Sequence, residues 1–263
     1  MKKSPHLRGN LADYWFRSGR RQRPVHLRLF CFPYAGGTAA VYKDWADHLP
    51  ATVQVLAVEL PGRGSRIKEA PFVSIPALID ALVGAIVPFL DVPFAFFGHS
   101  MGAVIAFELA RRLRKTYRHE PEILLVSGRR APQIPDIKRA AYDLPTAELI
   151  EELRRLDGTP KEVLENTELM ELIIPLLRAD FQMIQTYTYE GDSPLRCPIS
   201  AYGGLRDHEE TREQLLLWRE QTISRFCLHM LPGDHFFVRS AASILLATLS
   251  RELESITARE LKV

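Results

Sequence analysis

The sequence has no apolar run approaching the roughly 18 residues that a membrane-spanning helix needs, so no bilayer span is expected. Its N-terminus, MKKSPHLRGNLADYWFRSGRRQRP, starts positive but lacks the apolar stretch of a secretory signal. Cysteine is scarce: Cys31, Cys197 and Cys227 are scattered and odd in number. That argues against a disulfide framework and for a reducing, cytoplasmic setting. Neither CxxC nor HExxH occurs, so no metal site is signalled. Charge of one sign does not dominate either, with 34 Lys and Arg against 32 Asp and Glu. The balance conceals an asymmetry. Residues 1–28 hold eight Lys/Arg and the single acid Asp13, whereas the remainder holds 26 basic and 31 acidic residues. Nucleic-acid binding would want basic and aromatic residues interleaved on a folded surface. Here the excess sits in a head segment, 1–24, expected to be a solvated and partly disordered tail.

What is present is ordinary for a soluble globular chain, at 46% hydrophobic and 25% charged residues. Short apolar runs alternate with turn residues: Leu27–Phe32, Val53–Val58, Phe94–Phe97, Ile123–Val126, and more weakly Ile199–Tyr202 and Phe226–Leu231. Continuous short runs suit strands buried on both faces, as in parallel sheets. Helical patterns lie between them: Ile75–Leu90, Ala103–Leu113, a segment holding Gln214–Trp218, and Phe236–Leu253. The alternation predicts a doubly wound, mostly parallel α/β sheet. One stretch, 130–190, has no convincing strand. Thr159-Pro160-Lys161-Glu162 reads as a helix start capped by Thr, and two apolar stripes follow helical spacing: Leu149, Ile150, Leu153, Leu156 and Leu172, Ile173, Leu176, Leu177. The expected organisation is therefore a core of 25–129 and 191–263, interrupted by a helical lid insertion at 130–190.

Gly98-His99-Ser100-Met101-Gly102 follows one apolar run directly and precedes a helical pattern. In that context G-x-S-x-G predicts a nucleophile elbow, so tight that side chains two positions either side of Ser100 would clash. A serine needs a base and an orienting acid. His235, in the loop after the last apolar run, is the candidate base; His99 is expected to pack and His229 to be a satisfied sheet residue. Asp207, after the run that ends at Gly203-Gly204, is the candidate acid, ahead of Asp180, Asp192 and Asp234. Two backbone N–H groups should hold an oxyanion. One is that of Met101; the other comes from Pro33-Tyr34-Ala35-Gly36-Gly37, with Ala35 chosen and Tyr34 the alternative.

FCFPYAGG (30–37), ELPGRGSR (59–66), FFGHSMGAVIAFELARRLR (96–114), SGRRAPQIP (127–135), LRADF (177–181), YGGLRDHEE (202–210) and LPGDHFF (231–237) together resemble the type II thioesterases. These are stand-alone α/β-hydrolases that serve polyketide synthases and nonribosomal peptide synthetases. The resemblance implies that Ser100, Asp207 and His235 form the triad, that Met101 and Ala35 supply the oxyanion hole, and that 130–190 is the lid. It also implies hydrolysis of short acyl groups from the phosphopantetheine thiol of an acyl or peptidyl carrier protein, by a monomer, without metal or redox cofactor. The family tends to place Glu two residues before a Tyr after LRADF; here that residue is Gln185. Gly191-Asp192-Ser193-Pro194-Leu195 reads as a turn rather than a carrier's modified-serine helix. Rival readings are an esterase or lipase for oxygen esters and a non-catalytic binding module. An acidic carrier would want a basic docking face, expected at Arg129, Arg130, Lys138 and Arg139 in preference to Arg111, Arg112, Arg114 and Lys115.

Overall fold

The computed structural model describes residues 14–18, 24–135 and 140–260, so most of the basic head and the docking residues expected at Lys138 and Arg139 lie outside the described residues. Seven strands form one sheet: β1 (Phe16–Ser18), β2 (Leu27–Phe32), β3 (Val53–Val58), β4 (Phe94–His99), β5 (Leu124–Ser127), β6 (Ile199–Gly204) and β7 (Phe226–Leu231). Their order is β1-β3-β2-β4-β5-β6-β7. All pairings are parallel except β1 with β3. The expected doubly wound α/β sheet is what forms. β1 is an addition to the strands expected, because Phe16-Arg17-Ser18 contains no apolar run to announce it.

Period-two alternation explains the layering. Phe30 and Phe32 of β2, with Phe94 and Phe96 of β4, enter one apolar layer beneath α1 (Ile75–Ile86) and α2 (Met101–Tyr117). Leu27, Leu29 and Cys31 of β2, with Ala95 and Phe97 of β4, enter the opposite layer under the C-terminal helix. Every residue of β4 is buried. Each fully buried Leu or Phe contributes about 1.5–3 kcal/mol of transfer free energy, so the strand runs that were easiest to read are also what holds the two layers together.

α1 starts where expected: Ser74 Oγ accepts the Ala77 N–H, and Pro76 occupies the first turn. It ends at Ile86, and a 3-10 turn carries the chain on to Phe89. The expected final helix is divided, near Ala241, into a short helix Phe237–Ser240 and a long one Ala242–Glu260. The strandless segment holds α3 (Thr146–Leu156), α4 (Lys161–Leu164) and α5 (Thr167–Gln185), between β5 and β6 in the chain. Leu149 and Leu153 pack with Met170 and Leu177 as a small apolar cluster of its own.

Two local expectations fail there. Thr159 does not cap α4; Pro160 stands at the N-cap and the helix has only four residues. Gly158 is wedged against the Phe236 ring, where an added Cβ would come within 2.4 Å, and Thr159 lines the central cavity instead. Leu172 is 57% exposed rather than part of an inward stripe, because α5 turns Met170, Ile173 and Leu177 toward α3.

Candidate active site

Parallel strands deliver their following loops to one edge of the sheet. Register makes this explicit: Phe32 pairs with Gly98, His99 with Ser127, Ser127 with Tyr202, and Gly204 with Leu231. The loops after β2, β4, β5, β6 and β7 therefore leave the sheet together. This is where ligands bind in α/β folds. The loops carry Ala35, Ser100, Arg129, Asp207 and His235 respectively.

Ser100 sits at φ 52°, ψ −114°, between the last residue of β4 and the first of α2. A non-glycine residue held at positive φ stores strain that the surroundings must offset. They do so by close approach: a Cβ at Gly98 would lie 2.0 Å from the Gly102 carbonyl oxygen, and one at Gly102 would lie 2.1 Å from the Phe32 carbonyl oxygen. The Ser100 N–H donates to the Ser127 carbonyl at 2.7 Å, tying the turn to β5. Gly102→Ala would push backbone against backbone, and overpacking of this kind typically costs about 1–3 kcal/mol. For a chain of this size that corresponds to a melting temperature lower by roughly 2–10 °C. Thermal denaturation checks it; a variant melting within about one degree of the wild type would contradict the close approach.

The His235 Nδ1 lies 2.9 Å from the Asp207 Oδ2, and the Asp207 side chain is fully buried. The other carboxylate oxygen accepts the backbone N–H groups of Glu209 at 2.8 Å and Glu210 at 3.2 Å. An acceptor-only carboxylate places the proton of a neutral imidazole on Nδ1, which leaves Nε2 as an acceptor. His235 and Ser100 line the same cavity, together with Ala35 and Met101. Neither the Ala35 N–H nor the Met101 N–H has a protein acceptor among the described residues. Both are thus available to a ligand oxygen.

The rival candidates are engaged elsewhere. Asp234 is exposed and accepts the Phe236 N–H in its own turn. Asp180 is paired with Arg63. Asp192 is paired with Arg114 and accepts the Ser193 N–H, in a segment that is irregular and closes no hydrogen-bonded turn, unlike the turn expected of it. His229 bonds Glu252 at 2.8 Å. His99 is buried with its Nδ1 2.9 Å from the Ser127 Oγ. Burial and then the nearby His235 hold its pKa well below the usual imidazole value, so it packs as a neutral ring.

The basic docking face expected at Arg129 and Arg130 is not a surface. The Arg130 Nε lies 2.8 Å from a Glu210 carboxylate oxygen, with both side chains almost fully buried. The Arg129 Nη1 lies 3.6 Å from the other oxygen of the same carboxylate. Glu210 is carried inside by the loop that presents Asp207, and a buried carboxylate needs compensating donors. The two arginines supply them, and Arg129 also lines the cavity. Three members of the alternative cluster are paired, Arg111 with Glu108, Arg112 with Asp80 and Arg114 with Asp192, while Lys115 is exposed.

Sequence reasoning assigned no role to Arg63, Asp180, Glu210 or Phe236. All four sit inside the motifs quoted above, so the residues were visible but their partners were not. The Phe236 ring packs edge-on against Tyr34 and His235, which braces the base-bearing loop against the loop after β2.

A family model described as a thioesterase domain matches residues 27–253. Gramicidin S biosynthesis protein GrsT of Aneurinibacillus migulanus is 41% identical over 94% of this chain and 96% of its own length. Linear gramicidin dehydrogenase LgrE of Brevibacillus parabrevis is 43% identical over 92% of this chain and 93% of its own. The solved structure of the type II thioesterase BorB from the borrelidin biosynthetic cluster superposes with a TM-score of 0.84 at 37% identity, covering 91% of this chain and 97% of that one. The name of LgrE has no counterpart in a nucleotide motif here. The G-x-G after β3, Gly62-Arg63-Gly64, is followed by Ile67 where a dinucleotide fingerprint needs its third glycine, and by a 3-10 turn instead of an α-helix.

Proposed function

The chain belongs to the thioesterase family, and from that premise we propose that it is an editing enzyme that hydrolyses acyl thioesters on the phosphopantetheine arm of carrier proteins in polyketide or nonribosomal peptide assembly. The observation that carries the reading is the strained Ser100 sharing one cavity with His235, whose far nitrogen is held by buried Asp207.

The chemistry follows from that arrangement. His235 Nε2 takes the hydroxyl proton as Ser100 Oγ adds to the thioester carbonyl carbon. The carbonyl oxygen gains the negative charge and is met by the N–H groups of Ala35 and Met101, the latter at the positive end of α2. Asp207 keeps the imidazole in the reactive tautomer and stabilises the imidazolium. The C–S bond then breaks, His235 returns the proton to the departing thiol, and an acyl-serine remains. Water, deprotonated by His235, attacks the acyl-serine, and the free acid leaves as Ser100 regains its proton.

The helices of 130–190 act in this reading as a lid. Leu153, Leu177, Phe181 and Ile184 supply apolar wall around a cavity of about 100 Å³, which supports short acyl groups as substrates. No helix among the described residues is long and apolar enough to cross a membrane. The test is release of acetyl, propionyl, butyryl and longer acyl groups from loaded carrier protein, run beside matched thio- and oxygen esters of a small alcohol or thiol. Faster release of short chains and preference for the thioester are expected. Preference for the oxygen ester, with acyl-carrier untouched, would reverse the assignment in favour of an esterase.

A further inference from the structure

One buried ion pair lies outside the triad yet touches the loop that offers the second oxyanion donor. Asp180 of α5 has no solvent exposure, and Arg63, from the loop after β3, is 2% exposed. Their contact is bidentate: Arg63 Nη2 to Asp180 Oδ1 at 2.7 Å and Nη1 to Oδ2 at 2.9 Å. The same Oδ2 accepts the Gly36 N–H at 2.7 Å, and the Arg63 Nη1 donates to the Gly37 carbonyl at 3.1 Å. The pair therefore grips the loop after β2 by one N–H and one carbonyl. Leu177, one turn before Asp180, covers Gly36; at φ 75° an added Cβ there would come within 2.7 Å of its Cδ2.

This grip bears on where the Ala35 N–H points. In a trans peptide the carbonyl and the following N–H face opposite ways. The Tyr34 carbonyl accepts the Gly37 N–H at 2.9 Å, closing a turn. The Ala35 N–H of the same peptide plane is thereby turned outward, away from that closure. Ala35 lines the cavity with Ser100 and Met101. Any rotation of the Gly36 or Gly37 peptides would break that closure and re-aim the donor. Stability alone is a poor reason for the pair. Removing two charges from water roughly cancels their attraction, and apolar replacements of buried pairs are often neutral or better. What a planar, bidentate pair provides is fixed geometry.

We propose that Arg63 and Asp180 are positioning residues that hold the Ala35 N–H toward the oxyanion formed at Ser100, so that seating of α5 and completion of the oxyanion hole are one event. The inference rests on the thioesterase reading of Ser100. Asp180→Ala should lower kcat for a small acyl thioester by about 10- to 100-fold, somewhat less than outright loss of an oxyanion donor. KM should stay within about threefold, because the ground-state carbonyl depends little on that donor. Affinity for an alkylboronic acid, which forms a tetrahedral anionic adduct on Ser100, should fall in parallel with kcat. Affinity for a non-hydrolysable thioether analogue should not. Asp180→Asn, which keeps an oxygen able to accept the Gly36 N–H, should recover much of the loss. Arg63→Lys, which loses the fork but keeps charge, should resemble Asp180→Ala.

An unchanged kcat, or equal losses of boronate and thioether affinity, would overturn the proposal in favour of a purely structural pair. If Asp180→Ala fails to fold, the comparison of Asp180→Asn with Arg63→Lys makes the same decision. Ser100→Ala run alongside separates the two levels. An active Ser100→Ala variant sinks the thioesterase mechanism itself, whereas an inert one beside a fully active Asp180→Ala sinks only this inference.

Discussion

Replacing Ser100 with alanine is expected to lower turnover of an acyl-carrier thioester by on the order of 10⁴ to 10⁶ while the protein stays folded. The size of the loss follows from chemistry. Without Oγ there is no acyl-serine, and the residual rate is what binding and the oxyanion donors give to direct attack by water. The intact fold follows from geometry. The elbow is set by the contacts of Gly98 with Gly102 and of Gly102 with Phe32, none of which involves the hydroxyl. Alanine at φ 52° is no more strained than serine, so the melting temperature should hardly move. His235→Ala should behave alike, and the double variant should be scarcely worse than either, since the pair works as a unit. A Ser100→Ala protein retaining more than about a tenth of wild-type turnover would be far outside what loss of a triad nucleophile allows.

Asp207→Asn is expected to cost about 10³ to 10⁴ in rate. An amide at this position presents an N–H₂ as well as an oxygen, and the backbone N–H groups of Glu209 and Glu210 claim the oxygen. The amide nitrogen then faces His235 Nδ1, which must become the acceptor. The proton moves to Nε2, the nitrogen that has to receive the Ser100 proton. The imidazolium also loses its counter-charge. Asp234→Asn provides the control, because Asp234 is exposed and spends its side chain on the Phe236 N–H. Activity near wild type is expected there. Should Asp234→Asn prove the more damaging of the two, Asp207 is not the orienting acid.

How much of this could be read from the residues depends on whether a feature is local in the chain. The bounds of β2, β3 and β7 coincide with mostly apolar runs between turn residues; β2 and β3 are buried at every position except Arg28 and Gln54, whereas the edge strand β7 is half-buried up to Leu231. β4 and β6 run two residues further than their apolar stretches because Gly98-His99 and Gly203-Gly204 remain in the ladder although glycine usually signals a turn. β1 was invisible, since its pairing with β3 is a tertiary event that Phe16-Arg17-Ser18 does not announce. Ser100, Asp207, His235 and Ala35 lie in the connections that follow strands, and Met101 opens the helix after β4; strand order alone brings these positions to one edge. Charge pairing was the part that failed. Arg129 and Arg130 looked like a docking surface because a row of arginines carries no sign of the buried Glu210 that receives them, 80 residues away for Arg130. Arg63 and Asp180 meet across 117 residues, and no spacing rule reaches that far.

The central claim is that thioester cleavage passes through an acyl group on Ser100. The most direct test is a rapid-quench experiment with acetyl- or propionyl-loaded carrier protein in excess, followed by peptide mass analysis. The account predicts an acyl mass on the peptide containing Gly98-His99-Ser100-Met101-Gly102, appearing together with free carrier thiol and decaying as free acid is released. It predicts no such mass on the Ser100→Ala protein. Free acid formed at the wild-type rate with no acyl group ever on Ser100, or an acyl group trapped on a different residue, would contradict it.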